Sequence, residues 1–193
     1  MSPTRETRFD VIGIGNAIVD VIGRCDDAFL AKHGADKGGM RLIDADTVRA
    51  LYGDMGPAVE ISGGSAANSM VGIASFGGRA AFIGKVADDE FGRIFSHDIR
   101  AAHVTFETKA KAGGAPTARS LILVTPDGER TMNTFLGVSP ELDTREVDAS
   151  LIEAAEICYL EGYLFDRPEA KAAFRHAAGI AAKAGRKVAL SLS

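Results

Sequence analysis

Two short stretches carry side chains with usable chemistry. The first, Gly13-Ile14-Gly15-Asn16-Ala17-Ile18-Val19-Asp20, closes an apolar run and sets a carboxamide at Asn16 ahead of a carboxylate at Asp20. An ionised carboxylate only accepts hydrogen bonds and takes both protons of a vicinal diol, whereas a carboxamide donates and accepts. Together they suit a ligand with several hydroxyls, such as a sugar or a ribose. Asp20 equally suits a local turn cap. The second stretch is Gly63-Gly64-Ser65-Ala66-Ala67-Asn68-Ser69. A glycine pair lets backbone approach a ligand with no side chain between them. The amides of Gly63 and Gly64, and the start of the helix after them, are donors for a polar ligand. Asn68, one turn into that helix, directs an amide to the same place.

Neither stretch fits a nucleotide-phosphate cradle. In the dinucleotide fingerprint G-x-G-x-x-G/A the last position belongs to a small residue, and here it is Ile18. A β-branched side chain there obstructs the close helix–strand approach that the fingerprint needs. The lysine of a G-x-x-x-x-G-K-[ST] loop is absent after Gly63.

The elements around these stretches follow from periodicity. Phe9 to Ile14 reads as a buried strand, and Ile18–Ile22, Met40–Ile43 and Ala58–Ile61 as short strands. Helices are expected over Asp26–His33, Asp46–Tyr52 and Ser65–Phe76. Ala80–Gly84 reads as a buried strand, followed by a helix that opens on Asp88-Asp89-Glu90, where the macrodipole favours carboxylates. That helix carries a core stripe of Phe91, Ile94, Phe95 and Ile99. Further expectations are a strand over Thr105–Thr108 and two strands, Ala118–Thr125 and Glu129–Phe135, joined by the hairpin signal Pro126-Asp127-Gly128. A helix over Arg145–Ala155, a strand over Ile157–Leu160, a helix over Pro168–Ala184 and a strand over Lys187–Ser193 complete the list. Strand–helix alternation in the second half implies a largely parallel sheet covered by helices. The short strands and the hairpin break that alternation and are expected to form a small separate sheet. The last strand has nothing after it, so the chain is expected to be the first part of a longer protein.

Composition narrows the class. The chain has 193 residues, 46% hydrophobic and 25% charged, with a formal net charge of −4. No basic field favours nucleic acid or a membrane surface. No apolar run reaches about 18 residues, and the first residues, MSPTRETR, are polar, so neither a spanning helix nor a signal peptide is expected. Cys25 and Cys158 have no metal-ligand spacing and read as reduced thiols. His33, His97, His103 and His176 are scattered. A cytoplasmic protein with no metal centre of its own is expected.

The stretch GGSAANSMVGIASFGGRAAFIGKVADDEFG resembles the first signature of the PfkB, or ribokinase-like, carbohydrate kinases. That signature has a glycine pair, an asparagine shortly after, a helix ending at Phe-Gly, a strand, and then Gly-x-Val-Gly/Ala-x-Asp-x-x-Gly. Here these are Gly63-Gly64, Asn68, Phe76-Gly77 and Gly84-Lys85-Val86-Ala87 through Gly92. GNAIVD resembles the family's G-N-x-x-x-D, with Asn16 and Asp20 at its sugar-binding positions. VIGIGNAIVDV, TMNTFLGVS and CYLEGYLF look most like the adenosine kinase branch.

The resemblance implies a ribokinase-like α/β fold in which a parallel sheet is flanked by helices and carries a small β lid. The lid is expected from residues 17–23, 38–44, 58–62 and 117–136, the rest of 1–193 being the first part of the core. It implies transfer of a phosphoryl group from ATP, with Mg²⁺, to the 5′-hydroxyl of adenosine or a similar nucleoside. Asn16, Asp20, Gly64, Ser65 and Asn68 would hold the ribose, and Met40 would close over the base from the lid. Phe135 and the Tyr163-Leu164 region would lie against the base, although Phe135 equally suits packing within the lid. Glu161 stands where sugar-binding members carry an acidic contact, which keeps a sugar acceptor in view. The family's second signature, D-T-x-G-A-G-D, holds the catalytic aspartate and most of the ATP site, and it is absent from these residues. The catalytic base is therefore expected beyond Ser193. The expected partners are a small-molecule nucleoside or sugar and, through the lid sheet, a second copy of the chain. A non-catalytic binding or pairing module is the reading from a different class.

Overall fold

The structure is a computed structural model, and it describes residues 7–192. Among these residues ten strands divide between two sheets. The main sheet comprises β1 (Phe9–Ile14), β5 (Ala80–Ile83), β6 (Val104–Phe106), β9 (Ala155–Glu161) and β10 (Lys187–Ser191), in the order β10-β9-β1-β5-β6. All its pairings are parallel. The small sheet comprises β2 (Ile18–Arg24), β3 (Met40–Leu42), β4 (Ala58–Gly63), β7 (Ala118–Val124) and β8 (Arg130–Phe135), in the order β3-β8-β7-β2-β4. It is mixed: β2 runs parallel to β7 and antiparallel to β4, and β7 and β8 form the antiparallel hairpin turned by Pro126-Asp127-Gly128.

Alternation in β5 separates two cores. Ala80 and Phe82 face one way and Ala81 and Ile83 the other, so both sides of the strand are buried. Such a strand is apolar without interruption, as a parallel sheet covered on both faces requires. The first core lies between the main sheet, the helices α3 (Ser65–Ser75) and α4 (Glu90–Ala101), and the inner face of the small sheet. Phe82, Phe95 and Phe106 meet there, with ring centroids 5.2–6.1 Å apart. Two further helices, α1 (Asp27–Lys32) and α2 (Ala45–Asp54), contribute Leu30, Val48 and Leu51 to it. The second core lies on the opposite face under α5 (Ala149–Glu153) and α6 (Pro168–Lys183). There Ala170, Ala173, Ala177 and Ala181 form a small-residue stripe that lets α6 lie close to the sheet.

Two elements differ from the sequence reading. The helix expected over Arg145–Ala155 is only α5. Asp148 caps it by accepting from Ser150 N at 2.8 Å, Arg145 folds back onto Asp143, and Ala155 already belongs to β9. The strand expected over Thr105–Thr108 is Val104–Phe106. Ser193, the last residue of the strand expected there, lies outside the described residues, as do residues 1–6.

Phe95 is fully buried between two other rings. Phe95→Ala should lower the unfolding free energy by about 3–5 kcal/mol, because the cavity cannot close around two fixed aromatic neighbours. Urea denaturation followed by circular dichroism reads this directly; a loss below about 1 kcal/mol would contradict the packing described.

Candidate functional site

The site begins where β1 ends. Ile14 closes the strand in the main sheet, and Ile18 opens β2 in the small one, so the intervening residues carry the chain from one sheet to the other. Asn16 is buried, and its backbone N donates to Glu161 Oε2 at 3.1 Å. Glu161 ends β9, is only 1% exposed, and also accepts from the Ser65 side chain. Burial pushes its carboxyl above the usual range, and the two donors oppose that shift. The close approach explains Gly15: a Cβ there would lie 2.6 Å from Glu161 Oε2. The carboxamide oxygen of Asn16 accepts from the hydroxyl of Ser139, which lies on the 3-10 turn Ser139–Glu141.

The glycine pair is fixed by contact with the same crossing. Gly64 is the N-cap of α3, with φ +98°, and a Cβ there would lie 2.3 Å from the Asn16 carbonyl oxygen. Both facts demand glycine. Aspartate side chains cap α1, α2, α4 and α5, whereas α3 has no side-chain cap. Its first-turn N–H groups therefore remain available at the end nearest Asn16. Ser65 and Asn68 are exposed on that turn.

Asp20 lies across from this helix start, on the outer face of the small sheet. Gly63 shares that face, and a Cβ on it would lie 2.3 Å from Asp20 Oδ2. Burial alone raises the Asp20 carboxyl to about 6; among the described residues no cation or hydrogen bond counters it. An unpartnered, partly buried carboxylate is costly unless donors arrive from elsewhere. Its neighbours in register are Ile61 on one side and Ser120, Thr134 and Leu42 on the other. The Ser120 and Thr134 hydroxyls bond each other at 2.9 Å. One row further come Val59, Ile22, Ile122, Met132 and Met40. Ile61, Met40, Leu42 and Val59 are 46–64% exposed, so a single acid stands in an open apolar face.

The family model for pfkB family carbohydrate kinases matches residues 55–193. The chain belongs to the pfkB carbohydrate kinase family. Its fold superposes on an adenosine kinase from Sinorhizobium meliloti with a TM-score of 0.88 and 56% identity, over 96% of this chain and 57% of that one. A probable sugar kinase from Rhizobium etli CFN 42 gives 0.89 and 52%, over 97% and 57%. Among curated proteins, a probable chloroplastic fructokinase-6 of Arabidopsis thaliana is 35% identical over 64% of this chain and 33% of its own length. This pfkB-family chain thus spans from a third to somewhat over half the length of these relatives. The names of the relatives divide between a nucleoside and sugars.

Of the residues singled out from the sequence, the pfkB-family fold gathers Asn16, Asp20, Gly63, Gly64, Ser65, Asn68 and Glu161 at one crossing, and Met40 shares the outer face with Asp20. Two do not join them. Phe135 pairs with Arg119, one position out of step with Thr134, so it faces the first core and packs there. A shift of one residue along a strand moves a side chain to the other face. Leu164 is 1% exposed and belongs to the core beneath α6, while its neighbour Tyr163 is exposed. The apolar neighbours Ile61 and Leu42 were missed because only strand register reveals them. Ser139 was missed although it ends the quoted TMNTFLGVS. Among the described residues no group of three or more His, Cys, Asp or Glu could hold a metal ion, and no helix is long and apolar enough to cross a membrane.

The raised Asp20 value sets a pH dependence. The folded value, about 6, lies above the ordinary aspartate value of 3.8, so the folded chain holds an extra proton between them. Stability therefore falls as pH rises through that window, and the full cost is present above it. Asp20→Asn should stabilise the ligand-free chain by about 1–3 kcal/mol at pH 7, with the gain shrinking toward pH 4. Thermal melts of both forms across that range test this; a destabilised variant at pH 7 would mean the carboxylate has a native partner.

Proposed function

We propose that this chain supplies the acceptor-binding part of an ATP-dependent pfkB-family kinase that phosphorylates the 5′-hydroxyl of adenosine or a similar nucleoside. The observation that carries the reading is the unpartnered Asp20 carboxylate set in an exposed apolar sheet face. A ribose offers Asp20 two vicinal hydroxyl donors. A purine offers Ile61, Leu42 and Met40 a flat apolar surface, which a free hexose lacks. Asn16, Asn68 and the backbone N–H groups of the uncapped first turn of α3 donate to the remaining ribose oxygens, while the Ser65 hydroxyl, its proton given to Glu161, accepts. The small sheet then acts as a lid: closing it over the base removes water from the acceptor hydroxyl and positions it.

ATP and Mg²⁺ supply the phosphoryl group and its charge neutralisation in this family. The residues in hand do not form a metal-ligand set, so no step of the transfer is assigned to them. We assign no catalytic base among the described residues.

A sugar acceptor is favoured by one observation, the buried carboxylate of Glu161 at the same crossing. In this structure its oxygens are engaged by Asn16 N and Ser65, which leaves Asp20 as the carboxylate open to a ligand.

Calorimetric titration of the chain with adenosine, ribose and fructose separates the readings. Adenosine should bind tightest, and Ile61→Asn should weaken adenosine by about tenfold, the worth of one buried aliphatic contact, while leaving ribose unchanged. Tighter binding of fructose than of adenosine would support the sugar acceptor. Binding of none of the three would refute the acceptor-site reading.

A further inference from the structure

Ser139 is fully buried and touches the crossing twice. Its Oγ accepts from Ala17 N at 3.1 Å and lies 2.9 Å from Asn16 Oδ1. A hydroxyl has one proton, and the Ala17 amide already uses a lone pair, so that proton goes to the Asn16 carboxamide oxygen. The other end of the carboxamide, Nδ2, makes no hydrogen bond within the described residues and keeps both of its protons. Glu161 meanwhile holds the backbone N of the same residue. Asn16 is thus gripped at its backbone N and its side-chain oxygen, with one donor group unspent.

The turn that carries Ser139 is itself fastened. Lys85, whose side chain is 5% exposed, donates to the Glu141 carbonyl at 2.8 Å and pairs with Glu146 at 2.7 Å. Lys111 pairs with the Glu141 carboxylate, and Val138 N donates to Pro116 O at 2.9 Å. A buried lysine must be paired to be tolerated, and here the pairing immobilises the turn that holds Ser139. This gives the lysine of the Gly84-Lys85-Val86 stretch a use that the site chemistry alone did not supply.

We propose that Ser139 is a positioning residue that fixes Asn16 as a hydrogen-bond donor toward its ligand, a polyol oxygen. The inference rests on the acceptor-site reading above. Asp20, when ionised, can only accept, whereas Asn16, with its oxygen turned to Ser139, presents its Nδ2 donors. The site therefore reads two ligand oxygens in opposite senses, which sets the orientation of the sugar ring as well as its presence. A ligand ammonium in place of the hydroxyl at Asn16 presents only donors to a donor and is rejected.

A double-mutant cycle tests this, with adenosine affinity and melting temperature measured for wild type, Asn16→Ala, Ser139→Ala and the double variant. Ser139→Ala should weaken adenosine by about tenfold, the worth of one fixed hydrogen bond, and should have no further effect once Asn16 is alanine. An unchanged affinity in Ser139→Ala, or an equal loss in both backgrounds, overturns the inference, the second result marking a purely structural serine. If wild type binds adenosine and Asn16→Ala binds it equally well, the placement of Asn16 in the site falls, and this inference with it. No binding by wild type overturns the acceptor-site reading itself. Should Ser139→Ala not fold, the Asn16 side-chain amide protons of the wild-type chain are followed by NMR during adenosine addition. They should form one resolved pair that shifts on binding, and a pair that does not move overturns the inference.

Discussion

The hydrogen bond from Asn16 N to the buried carboxylate of Glu161 is the constraint on which the rest depends. It ties the end of β1 to the end of β9 at the point where the chain leaves the main sheet for the small one. A carboxylate this buried is tolerated only when donors reach it, and Asn16 N and Ser65 supply two. Because Ser65 opens α3, one side chain fixes both the crossing and the start of the helix after the glycine pair. The positive φ of Gly64 and its contact with the Asn16 carbonyl follow from this convergence.

Two carboxylates near one crossing have opposite fates. Glu161 is enclosed and served by donors from its own chain. Asp20, on the outer face of the small sheet, is desolvated by Gly63 and its apolar neighbours and served by none. The fold tolerates that cost at one position and nowhere else on the face. Such a local conflict between stability and environment is the mark expected of a site that a ligand completes. The aromatic core of Phe82, Phe95 and Phe106 beneath α4 gives the small sheet a rigid base on its inner face, which leaves the outer face free to meet a ligand.

Much of this was legible in the sequence where the signal was local. The β-branched Ile18 excluded a dinucleotide cradle, and it is indeed a strand residue rather than a helical one. The Pro126-Asp127-Gly128 turn and the apolar run of β5 were read from residue type and period alone. Asn16, Asp20 and the glycine pair stood out because few other roles demand those types together. Residue type left Phe135 open between the base and lid packing, and the structure packs it in the lid, while Leu164 is enclosed beneath α6; both outcomes turn on strand register or on which helix covers a turn, which are long-range. The helix expected from Arg145 failed for a local reason: Asp143 and Asp148 each offer backbone-binding oxygens that compete with helix formation. Ser139 ended a stretch that stood out in the sequence, but its role lies in a contact with a residue far away in the chain, which the stretch alone does not show.

The central claim is that Asp20 is held desolvated and unpartnered for a vicinal diol. Its carboxyl titration, followed by NMR on chain labelled at the aspartate carboxyl carbon, tests this most directly. The account predicts a value near 6 in the free chain. Adenosine should pull it down, because hydroxyl donors favour the charged form, and 2′-deoxyadenosine, lacking one donor, should do so less. An ordinary carboxylate value in the free chain, or a raised value that adenosine leaves unchanged, would contradict it.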